Sequence, residues 1–127
     1  MGLAALGFVS EQHIKRWRVD ELHAGLKLIV EVNGDYAHGN LRKYRPDDVI
    51  TFAAESMTVA AKHHKDRQRC AALGKLGYHV FVVWESDDYA AKRAELVALM
   101  ARMDAHDTSA SAASDARAWE HVIGGAK

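Results

Sequence analysis

The sequence predicts an α/β domain. Its central sheet is mixed: an antiparallel meander, plus a parallel strand added after a helical crossover, with helices on the flanks. Three observations predict this. The runs "LKLIVEVN" and "YHVFVVWES" are rich in β-branched and aliphatic residues and read as buried strands. A long segment with helical character separates them, as parallel neighbours require. The chain has 127 residues, enough for one domain with a core and too few for two.

The elements follow in order. "GFVSEQHI" and "WRVDEL" read as short strands broken around Lys15 and Arg16. "LKLIVEVN" is the strongest strand signal and runs into the turn residues Asn33, Gly34 and Asp35. In "RPDDVITFAAESMTVAA", Asp47 or Asp48 is placed to cap a helix beginning near Val49. "KHHKDRQRCAALGKLG" reads as a helix over residues 62–76, closed by Gly77. After the strand "YHVFVVW", the run "DDYAAKRAELVALMARM" is an amphipathic helix with an acidic start, which suits the helix dipole. "DTSASAASDARA" is small and polar, and "WEHVIGGAK" reads as a docked peptide or as disordered. The expected division is a domain over 1–105 and a flexible tail over 106–127. No internal repeat is visible.

Composition narrows the class. A hydrophobic fraction of 49% and a charged fraction of 27% are ordinary for a soluble protein. No apolar run approaches the ~20 residues of a membrane span. The start "MGLAALGFVS" lacks the basic flank of a signal peptide. Cys70 is the single cysteine, which excludes an internal disulfide and a multi-cysteine zinc site. An intracellular, cytoplasmic setting without a membrane partner is expected. Net charge is zero but unevenly spread: residues 1–84 carry 12 Lys+Arg against 9 Asp+Glu, and residues 85–127 carry 5 against 8. Basic clusters "KRWR" (15–18), "RKYR" (42–45) and "KHHKDRQR" (62–69) could track a phosphate backbone or form a solvated surface.

The segment "EVNGDYAHGN" concentrates polar chemistry at a strand exit. Strand alternation puts Glu31 and Asn33 on one face with Ile29, and Leu28, Val30 and Val32 on the other. A hairpin turning near "HAG" brings Asp20 beside them. Two adjacent carboxylates suit Mg²⁺; the alternative is pairing with Lys27 or Arg18. On the later helix, Val59, Asp66, Cys70 and Leu73 form one stripe at spacings of 7, 4 and 3. An aspartate on an otherwise apolar stripe needs a partner. His38 is a candidate: an Asp bonded to one imidazole nitrogen leaves the other as a base. Lys62 or Arg69 is the alternative partner.

The blocks "RVDELHAGLKLIVEVNGDYAHGN" and "KDRQRCAALGKLGYHVFVVWES" carry a resemblance. Together, over roughly residues 7–88, they resemble the very-short-patch repair endonucleases. They resemble still more closely the phage homing endonucleases with the EDxHD motif, a branch of the PD-(D/E)XK superfamily. The resemblance implies a restriction-endonuclease-like fold and Mg²⁺-dependent DNA cleavage. It implies Asp20 as metal-binding aspartate, with the Val32 backbone carbonyl and Glu31 as further ligands. It implies His38 as general base, Asp66 as its support, and Asn33 at the metal edge. Tyr36 and the "HGNLRKY" segment would line the DNA-facing mouth. Arg16, Arg18, Arg42, Lys43, Lys62, His63, Lys65 and Arg69 would contact the duplex, and Glu85 would serve structure.

The chain also departs from that pattern. The family's leading glutamate has no counterpart ahead of the first strand in these residues, and residue 37 is Ala where an aromatic is common. The repair enzymes' structural zinc ligands have no match, which favours the homing-type role over mismatch-repair nicking. Three readings stand: a metal-dependent DNA endonuclease, a degenerate member that binds DNA without cutting, and a zinc site of His38, His63, His64 and Cys70, whose spacing fits no standard pattern. The expected partner is double-stranded DNA. A homodimer on the DNA is compatible with it, because double-strand breaks by a small nuclease often need two active sites.

Overall fold

The computed structural model describes residues 1–106. After a 3₁₀ turn at Leu3–Leu6, strands β1 (Val9–Ile14) and β2 (Trp17–His23) form a hairpin in which Ile14 faces Trp17. The tight connection needs a left-handed residue, and Lys15 supplies it at φ 54°. A second short turn leads to β3 (Leu28–Asn33), antiparallel to β2 with Leu22 opposite Ile29.

The next segment corrects one sequence expectation. No helix begins near Val49. Instead β4 (Val49–Phe52) and β5 (Glu55–Thr58) make a separate two-stranded hairpin. The β-branched and aromatic residues of "VITF" prefer the pleat, and this local preference outweighs the alanines that follow. Ala53 and Ala54 form the tip at φ 51° and 63°. Asp48 still accepts a hydrogen bond near the predicted cap, but from the Arg45 N–H at 2.7 Å, closing a turn ahead of the hairpin.

Helix α1 (Val59–Lys75) starts later, where Thr58 Oγ1 accepts from the Ala61 N–H at 3.1 Å. Its end is the expected glycine stop. Gly77, at φ 92°, donates to Gly74 O, and Tyr78 N–H donates to Leu73 O. The chain then enters β6 (His79–Trp84), parallel to β3, with Leu28 opposite His79 and Asn33 opposite Trp84. Helix α2 (Tyr89–His106) follows. The acids expected in its first turn lie just before it, with Asp88 Oδ1 accepting from Ala90 and Ala91.

The sheet order is β1-β2-β3-β6, a mixed sheet of an antiparallel meander and one parallel pair, as the sequence predicts. One face packs Ile29, Val80, Val82 and Trp84 against Cys70 and Leu73 of α1. The other packs Leu28, Val30, Phe81 and Val83 against Leu96 and Leu99 of α2, with Leu3 and Phe8. All six residues of β6 are buried. Each such aliphatic or aromatic side chain contributes about 1.5–3 kcal/mol by leaving water. Among the described residues no helix is long and apolar enough to cross a membrane. The tail expected over 106–127 lies outside the described residues, apart from the end of α2.

The tip of the β4–β5 hairpin yields a stability test. Alanine in the left-handed region costs about 1–2 kcal/mol, and Asn-Gly is the preferred pair for such a turn. Ala53→Asn combined with Ala54→Gly should therefore raise the unfolding free energy by about 1–2 kcal/mol in urea titrations. Unchanged or lower stability would count against the observed turn.

Candidate active site

The site begins where β2 and β3 separate. Their ladder ends at the pair Glu21–Val30. Beyond it, side chains take over: Glu31 Oε2 accepts from the Asp20 N–H at 3.2 Å, and Asp20 Oδ2 accepts from the Val32 N–H at 2.9 Å. The N–H and C=O of one strand residue point the same way, so the Val32 carbonyl also faces this gap. Val19 and Leu22 both touch the α1-side core although they are three apart, so strand alternation breaks around Asp20. Glu11 in the facing stretch of β1 adopts φ 53°. Such an irregularity re-aims a side chain, a common device beside active sites.

Glu31 is buried and paired with Arg69, whose Nη2 also donates to Arg18 O at 2.8 Å. Burial pushes the Glu31 carboxyl up. Arg69 opposes that, the neighbouring Asp20 charge adds to it, and the outcome is a raised pKa.

His38 sits on the turn after β3. His38 N–H donates to Gly34 O, Gly39 N–H to Tyr36 O, and Asn40 N–H to Asp35 O. Asp35 is the hub of this loop. Its buried carboxylate accepts from Asn40 Nδ2 (2.9 Å) and Ser86 Oγ (3.1 Å) and pairs with Lys43 (2.8 Å). Burial alone would raise its pKa, but the bonds from Lys43, Asn40 and Ser86 outweigh it and hold the carboxyl low. Glu85 Oε1 accepts from the Asp35 N–H at 2.7 Å, which ties the loop to the end of β6.

The His38 ring meets α1. Its Nδ1 lies 3.0 Å from Asp66 Oδ2, and Lys62 Nζ lies 3.0 Å from Asp66 Oδ1. Of the three partners the sequence offers for Asp66, His38 and Lys62 are thus present, while Arg69 turns to Glu31. Burial works to raise the Asp66 pKa, and His38 and Lys62 together bring it below the ordinary value. With Nδ1 donating to Asp66, Nε2 carries the lone pair that can take a proton.

Asp20, Glu31, Val32, Asn33, His38 and Asp66 line one cavity of about 360 Å³, together with Arg18, Lys62 and Arg69. Every residue that the nuclease reading expects to act in catalysis or hold Mg²⁺ is on its wall, whereas His63 and His64 of the zinc reading are not. Two carboxylates and a carbonyl are hard oxygen donors and fit Mg²⁺, which binds through one or two carboxylates plus water and phosphate. Among the described residues no group of three His, Cys, Asp or Glu is arranged to hold an ion, and Arg69 now neutralises Glu31. Cys70 borders the cavity, but burial lifts its thiol to about 11, so it is not a ready nucleophile.

The residues expected to meet DNA are placed as follows. Arg18 pairs with Glu11 at 2.6 Å, and Arg16 lies over the Trp17 ring. Arg42 reaches Asp87 at 2.7 Å, Lys43 reaches Asp35, and Lys65 reaches Glu55 at 3.2 Å. Tyr36 is exposed, and its hydroxyl accepts from the Thr51 N–H at 2.9 Å. His63 Nε2 bonds to Gly39 O at 2.8 Å. Sequence reasoning missed the Glu31–Arg69 pair and the Asp35 hub. The only available signal was that a buried acid needs a partner, which does not say which one.

Asp35 and Asp66 set the acid dependence of stability. Their folded pKa values lie below the ordinary 3.8. Their contribution is therefore complete above that value and is lost as pH falls through the lowered ones. Glu31 acts in the opposite sense: its raised pKa makes its contribution fall as pH rises past the ordinary 4.5. Urea unfolding across pH 2–7 should show a weaker acid-side slope in Asp35→Asn and Asp66→Asn than in the unsubstituted protein. Asp35→Ala should cost about 1–3 kcal/mol at neutral pH, since it leaves the buried Asn40 amide without its acceptor. An acid-side slope unchanged by both Asn variants would contradict these assignments. In comparisons with known proteins, no family model, no curated protein and no solved structure matches this chain.

Proposed function

We propose that this protein is a metal-dependent DNA endonuclease that hydrolyses phosphodiester bonds. The reading follows its resemblance to the EDxHD homing and very-short-patch repair enzymes of the PD-(D/E)XK superfamily. The observation that carries it is the His38–Asp66 pair at 3.0 Å, opening on the cavity that also holds Asp20 and Glu31. His38 Nε2 takes the proton of the attacking water. Asp66 holds the ring in the required tautomer and stabilises the imidazolium that forms. Asp20, Glu31 and the Val32 carbonyl would hold Mg²⁺, which supplies charge stabilisation for the phosphoryl transition state and the leaving oxygen. Arg18 and Lys62 put positive charge on the same wall for the scissile phosphate, and Asn33 offers an amide donor there. Double-stranded DNA is the substrate, a second copy of the chain would serve double-strand cleavage, and the setting is intracellular.

One alternative has an observation behind it. Arg69 already supplies the positive charge at Glu31, which favours a protein that binds DNA without cutting it.

A plasmid-nicking assay with Mg²⁺ or EDTA separates the two. Cleavage should require Mg²⁺ and disappear in Asp20→Ala. His38→Ala should lose about 10²–10⁴-fold in rate at neutral pH while keeping DNA affinity, because a general base contributes that much. Asp66→Asn should lose less, since the imidazole remains. DNA binding should weaken steeply with salt as counterions are released. Undiminished nicking by His38→Ala, or nicking in EDTA, would overturn the mechanism. Salt-dependent binding with no cleavage under any metal would support the binding-only reading.

A further inference from the structure

His63 lies in the basic run 62–69, where a phosphate contact is the simple expectation. Its surroundings point inward instead. It precedes Asp66 by three residues on α1, so the two side chains share one side of the helix. Its Nε2 is 2.8 Å from Gly39 O, and because a carbonyl only accepts, that nitrogen must carry the hydrogen. The ring stacks on Trp84, with centroids 6.5 Å apart and planes at 21°. The His38 ring meets the same indole edge-on at 6.4 Å and 80°.

The loop is also pressed onto the start of α1. Gly39 has φ 63°, and a Cβ there would lie 2.7 Å from Val59 Cγ1. α1 therefore grips the His38 turn at three points: Val59 against Gly39, His63 on the Gly39 carbonyl, and Asp66 on the His38 ring. We propose that His63 is a positioning residue: by donating to the carbonyl next after His38, it sets the direction of His38 Nε2 into the cavity. This rests on the nuclease reading. His63 does not line the cavity, so its action runs through the backbone and not through substrate. The Nε2–H donor is present in both neutral and protonated imidazole, so the grip holds across the pH range in which His38 must change its charge.

The test compares His63→Ala with His63→Gln, whose amide nitrogen can reach the position of Nε2. Single-turnover cleavage of plasmid at saturating enzyme should fall about 10- to 100-fold in His63→Ala, the scale of a small misplacement of a reacting group. His63→Gln should recover most of the rate, and DNA affinity should stay unchanged in both. NMR titration of the His38 ring in the metal-free protein should move in His63→Ala and return in His63→Gln. Wild-type rates in His63→Ala would overturn the proposal. So would failure of Gln to rescue, or a loss of DNA affinity with the saturated rate intact. If His63→Ala does not fold, His63→Gln decides alone: near-wild-type cleavage supports the proposal and loss of cleavage overturns it. If the unsubstituted protein does not cut, the nuclease reading fails and the His38 titration still decides on positioning: an unmoved titration in His63→Ala overturns it.

Discussion

The parallel pairing of β3 with β6 is the constraint on which the other features rest. Because the two strands run the same way, both exits lie at the same end of the sheet. Asn33 stands opposite Trp84, and its carbonyl accepts from the Glu85 N–H at 2.9 Å. The loops that follow must therefore be neighbours, and their side chains bind them: Asp35 to Ser86, Arg42 to Asp87, the Asp35 N–H to Glu85. Burial on both faces secures the register, since a one-residue slip would turn every side chain to the wrong layer. Sites in α/β sheets gather at the carboxyl ends of strands for this kind of reason.

On its other edge, β3 loses its partner. β2 leaves the ladder after Glu21, and the vacated hydrogen-bonding positions are filled by Asp20 and Glu31 themselves. One strand thus has a pinned side, carrying the His38 loop, and an open side, carrying two acids. Helix α1 crosses the face between them and contributes Lys62, Asp66 and Arg69. The cavity mixes three carboxylates with three cationic side chains and an imidazole. Charges withdrawn from water are tolerated only when paired, and Glu31 with Arg69 and Asp66 with Lys62 and His38 meet that condition.

The parts of this arrangement that were legible in the sequence were legible for local reasons. Alternation along "LKLIVEVN" separated Glu31 and Asn33 from Leu28, Val30 and Val32, and the two cores divide along that line. Helical spacing set Asp66 among Val59, Cys70 and Leu73, and an acid in that stripe pointed to His38. The misreading was local as well. In "VITFAAESMT" the alanines pull toward helix and the β-branched residues toward strand, and a hairpin formed because two alanines accept left-handed backbone at its tip. Nothing in alanine announces that.

The sequence by itself determined the mixed sheet, the glycine stop of α1, and the core faces on which Leu28, Ile29 and Val30 of β3 stand. These follow from periodicity and backbone chemistry within a few residues. Only the tertiary structure decided which charges meet. Arg69 turns in to Glu31 and the Arg18 carbonyl, Lys43 to Asp35, and His63 to the Gly39 carbonyl. The basic clusters look alike as sequence. What separates an inward cation from an outward one is the angle at which α1 lies across β3 and the seating of Gly39 on Val59. Those are properties of packing between segments far apart in the chain, and no local pattern encodes them.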